Sequence, residues 1–315
     1  MDAILERCAG LDVHQETVVA CVLAGPLNKK PQQEIKTFGT TTKELLKLHD
    51  WLLEQKCTHV AMESTGVYWK PVWNLLEDSF ELILANPQRI KNVPGKKTDM
   101  KDAVWIAQLL RCGLIEASFV PPEDIRDLRD LTRYRRKLVN DATAEKNRIH
   151  KILQDGNIKL TTYISDVFGV SGRALLESVM NGVVLSPEDV KTMVKTQVKK
   201  KVPQLVDALN GRVRAHHRKM IRRHYDHLEY LEKEIAALEA EIEELLNPYQ
   251  KEIELLDTIP GIDKDAAASI LAEIGPDMSV FPSEGHLASW GGLSPGNNES
   301  AGKKRAREPV KGIKV

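Results

Sequence analysis

The segment "ILERCAGLDVHQETVVACVLAG" occupies residues 4–25 and contains two short, β-branched apolar runs on either side of a polar centre. This pattern predicts two strands joined by a turn near His14 to Glu16. Asp12 would then lie at the end of the first strand. Taken alone, Asp12 is most simply interpreted as a polar residue that caps the turn.

Downstream of this hairpin, the apolar pattern alternates between strands and amphipathic helices. It predicts strands in "EIKTFGTT", "THVAMEST" and "FELILAN", and helices in "TKELLKLHDWLLEQ" and "YWKPVWNLLED". A three-stranded meander followed by alternating helices and strands is the order of the ribonuclease H-like fold, an α/β layer architecture. Because the first and fourth strands are neighbours in such a sheet, we expect Asp12 and Glu63 to lie close together at one edge. Glu63 alone could simply begin the next helix.

A second pair of carboxylates lies in "PGKKTDMKDAVWIAQLL", residues 94–110. Asp99 and Asp102 are one helical turn apart, so both can point at one spot, where two anions repel unless a cation lies between them. The alternative is an ordinary acidic first turn, which the helix dipole favours and which faces solvent.

Composition limits the class of protein. A chain of 315 residues can form two or three domains, and it contains no apolar run long enough for a membrane span and no secretory leader pattern. We therefore expect a cytoplasmic protein with no membrane partner. The four cysteines have no metal-binding or disulfide spacing and are interpreted as reduced thiols: Cys8, Cys21, Cys57 and Cys112.

Charge is segregated along the chain although the formal net charge is zero. The segments "RDLRDLTRYRRKLVNDATAEKNRIHK", "KTMVKTQVKKK" and "RVRAHHRKMIRR" are basic, whereas "LEKEIAALEAEIEELL" is acidic. Local fields, and not the net charge, determine where a phosphate backbone binds.

Two long helices are predicted in the middle of the chain, separated by a break near Gly156 and a loosely structured stretch. The first spans Glu123 to Asp155 and is either a solvated face or a nucleic-acid surface; its candidate contacts are Arg126, Arg129, Arg133 and Arg136. The second begins near Val206 and stops at Asn247 and Pro248. Its heptad positions form a coiled-coil seam: Ile221, Leu228, Ile235 and Ile242, with Leu231, Leu238 and Leu245. This seam fits either self-association or a hairpin with the first helix.

The C-terminal part contains "LLDTIPGIDKDAAASILAEIG", which predicts a helix-hairpin-helix or a simple αα corner. Asp263 stands where a phosphate-binding turn often has a glycine. Further on, Ser300 lies in the glycine- and asparagine-rich loop "PGNNESAGKK". On composition alone, such a serine is a turn residue.

Several motifs, taken together and in order, resemble one family: "GLDVHQ", "AMESTGVYW", "ANPQRIKNVPGKKTDMKDAVWIAQLL", "IPGI" and "PGNNESAGKK". They are similar to insertion-sequence transposases that pair a RuvC-like DEDD domain with a catalytic serine, the bridge-RNA-guided recombinases. The resemblance implies that the catalytic and metal-binding carboxylates are Asp12, Glu63, Asp99 and Asp102, and that Ser300 is the nucleophile. It implies Mg²⁺, whose hard oxygen ligands are carboxylates. It also implies DNA and a structured guide RNA as partners, and a dimer or tetramer. Further nucleic-acid contacts would be Lys96, Lys97, Lys303 and Lys304.

The resulting expectation has three parts. Residues 1–155 form a RuvC-like α/β domain with a trailing basic helix, residues 156–250 form a helical linker and coiled-coil arm, and residues 251–315 form a small all-α, helix-hairpin-helix-like serine domain. The expected function is cleavage and rejoining of mobile-element DNA. The alternatives are a RuvC-like nuclease that uses water, and a shortened, inactive copy that only binds nucleic acid, because "REPVKGIKV" lacks the glycine-asparagine-arginine pattern that the resemblance implies.

Overall fold

The computed structural model describes residues 2–93, 102–293, 299–300 and 303–304, with the backbone alone for 88, 91–92, 196–197, 299–300 and 303–304. The chain forms two compact units, Met1–Val120 and Pro121–Val315.

The first unit is built on a five-stranded mixed sheet. Its strands are β1 (Arg7–Val13), β2 (Thr17–Ala24), β3 (Gln32–Gly39), β4 (His59–Glu63) and β5 (Glu81–Ala85). Their order is β3-β2-β1-β4-β5, with β1 antiparallel to β2, β2 antiparallel to β3, and β1, β4 and β5 parallel. This is the meander and crossover expected from the sequence, so a ribonuclease H-like α/β domain is confirmed at the level of strand order and direction.

Helices cover both faces of this sheet. They are α1 (Thr42–Glu54), α2 (Trp69–Leu76), α3 (Pro87–Asn92) and α4 (Asp102–Arg111). Alternate residues of β1 point to opposite faces, so Leu11 packs with α1 and α2 whereas Cys8 packs with α4. Burial raises the pKa of the Cys8 and Cys21 thiols to about 12, which agrees with their interpretation as unreactive core thiols.

The second unit is almost wholly helical. Its helices are α5 (Glu123–Asp155), α6 (Leu160–Tyr163), α7 (Val170–Asn181), α8 (Pro187–Met193), α9 (Val202–Leu209), α10 (Ala215–Leu245), α11 (Gln250–Asp257), α12 (Lys264–Ile274) and α13 (Glu284–Trp290). Two short strands follow, β6 (Glu299–Ser300) and β7 (Lys303–Lys304). Within the described residues, no helix combines the length and the apolar character needed to cross a lipid bilayer.

The predicted heptad seam is buried inside the chain. Ile221, Leu228, Leu231 and Leu238 of α10 join the core that contains Ile149 of α5. The two long helices therefore pair within one chain, which was one of the two interpretations that the heptads allowed. A coiled coil between two copies stays a prediction.

Between the two long helices, two features differ from the sequence-based expectation. The second long helix begins at Ala215 and not near Val206, because the chain turns at Gly211, where an added Cβ would lie 2.3 Å from the carbonyl oxygen of Gly156. The stretch between the long helices is not loose, since α6, α7, α8 and α9 contribute side chains such as Leu175 and Leu205 to the core.

Helix α5 was expected to trail the first domain, which would end at residue 155. In the structure it belongs to the second compact unit. The reason is its apolar side: Leu138 and Ile149 pack in the core with α10, and Ile125 and Leu128 pack with α12.

Candidate active site

Asp12 and Glu63 lie at the same end of two adjacent parallel strands. In the register of β1 and β4, Leu11 pairs with Met62, so the next residue along each strand is one of the two carboxylates. The structure therefore brings together the pair that the strand order predicts. Glu63 is oriented by its own loop, since the Thr65 hydroxyl donates a 2.7 Å hydrogen bond to Glu63 Oε1.

Gly10 determines how closely α4, which begins at Asp102, lies against β1. A Cβ added at Gly10 would lie 2.3 Å from the Ala107 nitrogen and 2.5 Å from the Ala103 carbonyl oxygen. Ala103 and Ala107 are themselves completely buried. Because a glycine opposite two alanines permits this approach, these three residues hold the start of α4, and with it Asp102, against the strand that carries Asp12.

The pKa of the Asp12 carboxyl responds to burial and to the charges around it. Burial raises the pKa of the Asp12 carboxyl above its usual range, and the negative charges of Asp102 and Glu63 raise it further. The imidazole of His14 opposes this, with Nε2 3.3 Å from Asp12 Oδ2. An edge that concentrates negative charge in this way favours a bound cation.

The donor set consists of carboxylate oxygens, which is the chemistry that Mg²⁺ or Mn²⁺ selects. Within residues 2–93 and 102–293, however, no three His, Cys, Asp or Glu side chains are arranged so that they could hold a metal ion. The fourth expected ligand, Asp99, lies outside the described residues. The residue types thus fit a divalent metal, and the complete ligand geometry stays a prediction.

Three neighbours of the carboxylates were not anticipated from the sequence: His14, Thr65 and Tyr68. His14 follows Asp12 by two residues across a turn closed by its own N–H, which donates to the Thr17 carbonyl oxygen at 2.9 Å. Its spacing from Asp12 was visible in the sequence, but its orientation depends on that turn. The Tyr68 hydroxyl reaches Gln15 of the same turn.

Two of the arginines expected to bind nucleic acid have partners inside the second unit. Arg133 forms a bidentate ion pair with Glu273, at 2.7 and 2.9 Å. Arg129 donates to the carbonyl oxygens of Ala272 and Glu273 at the end of α12, at 3.0 and 2.7 Å. Cations at a helix C-terminus stabilise it, so these two side chains hold α5 and α12 together.

The remaining candidates are distributed differently. Arg136 is exposed, whereas Arg126 donates to the Pro121 carbonyl oxygen at 2.9 Å. Lys96 and Lys97 lie outside the described residues. Lys303 and Lys304 form β7, for which the backbone alone is described.

Ser300 is in the second unit, in the two-stranded hairpin where it pairs with Lys303. Nearby in sequence, α12 begins with Asp263, whose side chain accepts a 2.8 Å hydrogen bond from the Ala266 N–H. Asp263 is therefore an N-cap, which explains why an acidic residue occupies the turn. This occupied N-terminus favours the αα corner over a phosphate-binding hairpin.

Two structures of RuvC resemble part of the chain weakly. "T. thermophilus RuvC in complex with Holliday junction substrate" is 14% identical and covers 36% of this chain and 100% of its own, with a TM-score of 0.28. "Thermus thermophilus RuvC structure" is 17% identical and covers 37% of this chain and 85% of its own, with a TM-score of 0.24.

Sequence comparison gives the family. A relative named as a transposase, y4qE of Sinorhizobium fredii (strain NBRC 101917 / NGR234), is 36% identical over 81 residues, which are 25% of this chain and 21% of y4qE. The chain thus spans about a fifth of the length of that relative. Residues 9–158 match the DEDD model of IS110 elements, described as "Transposase", and residues 253–313 match "Transposase IS116/IS110/IS902 family". Since these two models together match about two thirds of the chain, the protein belongs to the IS110 family of transposases.

Proposed function

We propose that this protein is a DNA transposase that cleaves and rejoins the DNA of a mobile element, with Asp12, Glu63, Asp99 and Asp102 as ligands of one or two Mg²⁺ ions. The observation that carries the proposal is that Asp12 and Glu63 end two adjacent parallel strands of a ribonuclease H-like sheet, with the charge of Asp102 close enough to raise the pKa of Asp12. Membership of a transposase family supports the choice of DNA as substrate.

The chain's own residues prepare this edge for a phosphodiester. Asp12 and Glu63 are on strands and Asp102 is at a helix start, so rigid elements hold all three carboxylates. Thr65 holds Glu63, and His14 holds Asp12, in fixed orientations. Bound Mg²⁺ supplies charge stabilisation for the attacking and leaving oxygens of an in-line displacement at phosphorus.

Ser300 is the proposed nucleophile. Its Oγ forms a bond to phosphorus, the bond from phosphorus to one bridging ester oxygen breaks, and the hydroxyl proton passes to a base or to water. The phosphoserine keeps the ester bond energy, so a second DNA end can attack it and rejoin the strand without ATP. The family model that matches residues 253–313 includes this serine, which supports the assignment.

The proposed partners are DNA, a structured guide RNA and further copies of the chain in a dimer or tetramer. Exposed cations without ion pairs among the described residues support a nucleic-acid surface in the second unit: Arg136, Lys137, Lys195, Lys199, Lys200, Lys219 and Arg223. Arg129 and Arg133 are left out of this surface because Glu273 binds them. Since the substrate is the DNA of a prokaryotic cell, the proposed location is the cytoplasm.

A second candidate function is a nuclease that uses water. It is favoured by the fact that metal-bound carboxylates of the first unit would suffice for hydrolysis, with no nucleophile needed from the second unit. In that case Ser300 is only a turn residue.

A covalent adduct separates the two functions. The protein is purified with any RNA that stays bound, incubated with element-end DNA and Mg²⁺, and run on a denaturing gel. We expect a protein-DNA adduct that Ser300→Ala and Asp12→Asn abolish, whereas Ser289→Ala and Asp50→Asn leave it unchanged as matched controls. Cleavage without an adduct, equal in Ser300→Ala and the parent, would assign the water mechanism.

A further inference from the structure

An exposed apolar pair lies directly beyond the carboxylate edge. Val67 and Tyr68, in the loop between β4 and α2, are 65% and 41% exposed. They follow Glu63 by four and five residues. Two consecutive exposed apolar side chains beside a charged site provide an apolar surface on which a ligand can pack.

The loop that carries the pair is fixed by hydrogen bonds. The Ser64 N–H donates to the Ala85 carbonyl oxygen at 3.0 Å, and the Thr65 N–H donates to the Glu63 carbonyl oxygen at 2.9 Å. Gly66 then has a left-handed φ of 58°, and a Cβ there would lie 3.6 Å from the ring of Tyr68. The ring therefore covers Gly66 on one side while much of it stays open to solvent.

Tyr68 also connects two loops of the site. Its hydroxyl donates a long hydrogen bond, 3.4 Å, to Gln15 Oε1. Gln15 belongs to the turn after β1, and its carbonyl oxygen accepts a 2.8 Å hydrogen bond from the Thr40 hydroxyl. The ring thus joins the loop that follows Glu63 to the turn that follows Asp12.

The surroundings select the kind of ligand. The strands that lead into these two loops end in the carboxylates Asp12 and Glu63, whose negative charge does not repel an uncharged, planar group. A nucleobase is such a group, and every base can stack on an aromatic ring whatever its sequence.

We propose that Tyr68, supported by Val67, is a stacking platform for an unpaired nucleobase next to the phosphate that is cleaved. The inference rests on the proposed function, since it takes the scissile phosphate to lie at the carboxylate edge. It assigns to Tyr68 a positioning role: the stacked base fixes the strand so that its phosphate stays at the carboxylates. The preference is for unpaired or distorted DNA, because a base in an intact duplex is already stacked.

The test measures stacking without chemistry. The probe is a synthetic four-way DNA junction that carries 2-aminopurine at the branch point, mixed with the full chain in Ca²⁺ in place of Mg²⁺. We expect the parent to quench the fluorescence, Tyr68→Phe to keep the quenching, and Tyr68→Ala to lose it with about fivefold to hundredfold weaker binding. Tyr134→Ala, which removes another exposed tyrosine, is the matched control and should behave like the parent. Thermal unfolding verifies that each variant is folded.

The outcomes separate this inference from the proposed function. Quenching that depends on Tyr68 in a protein that never cleaves DNA would support the platform and count against the nuclease chemistry. Cleavage with equal quenching and affinity in Tyr68→Ala and Tyr134→Ala would overturn the platform and leave the chemistry standing. Absence of junction binding by the parent would also overturn the platform. So would a Tyr68→Ala variant whose only change is a smaller mass by light scattering, since that result would assign Val67 and Tyr68 to a protein interface.

Discussion

Replacing Gly10 by alanine should damage both the first unit and the site. The added Cβ would lie 2.3 Å from the Ala107 nitrogen and 2.5 Å from the Ala103 carbonyl oxygen, whereas ordinary contacts begin near 3.4 Å. Because both atoms belong to the backbone of α4, no side-chain rotation relieves the clash, and the helix must retreat by about 1 Å. Overpacking of this kind costs about 1–3 kcal/mol in the free energy of unfolding.

The same movement should reduce activity more than stability. Asp102 begins α4, so it would move away from Asp12 with the helix. A misplacement of about 1 Å can lower a rate about a hundredfold. The free energy of unfolding is measured by urea titration, and DNA cleavage is measured at a temperature where the variant is fully folded.

Gly285→Ala is the matched control. A Cβ at Gly285, in α13, would lie 3.6 Å from the Ser283 hydroxyl, which is ordinary contact, so this variant should keep parental stability or gain slightly from helix propensity. If Gly10→Ala unfolds at the parental urea concentration and cleaves at the parental rate, the close approach of α4 does not position Asp102.

Three further changes test the second unit by urea titration. Burial alone would raise the pKa of Glu145, but hydrogen bonds from His227 and His224 and the charge of Arg148 hold it below its usual range. Glu145→Gln should therefore lower the free energy of unfolding by about 2 kcal/mol at neutral pH. This difference from the parent should vanish as the pH falls through the lowered pKa, because the parent's carboxyl is then protonated. A pH-independent difference would refute this. Glu273→Ala should lower the free energy of unfolding by about 3 kcal/mol by removing the ion pairs of Arg129 and Arg133, without changing the salt dependence of DNA binding. A steeper salt slope would show that the two freed arginines reach phosphates, which would return them to the nucleic-acid surface. Leu238→Ala should lower the free energy of unfolding by about 2–5 kcal/mol and leave the mass measured by light scattering unchanged, because Leu238 is buried within the chain. A halved mass with parental stability would show that the heptad seam of α10 lies between two chains.

The sequence predicts the first unit well because its signals are local. Strand lengths, the turn at His14 and the order of elements were sufficient to place Asp12 beside Glu63, and the apolar run after Asp102 was sufficient to indicate a helix there, which the structure has as α4. The close approach at Gly10 was not predictable, since the need for glycine there arises from Ala103 and Ala107, almost a hundred residues later.

The second unit was predicted less well for the same reason. Arg129 and Arg133 look like a solvated basic face until Glu273, 140 residues beyond Arg133, is known to lie against them. The short helices α6 to α9 contain too few turns for a clear period, and their burial depends on the α5 and α10 pair that they cover.

The central claim is that the carboxylates of the first unit bind the divalent metal that the chemistry needs. Calorimetric titration of the full chain with Mn²⁺, free of DNA, measures this metal binding. We expect saturable binding of one or two ions that is lost in Asp12→Asn and in Asp102→Asn, while Asp50→Asn binds as the parent does. Equal Mn²⁺ binding by the parent and Asp12→Asn, or no binding by the parent, would contradict it.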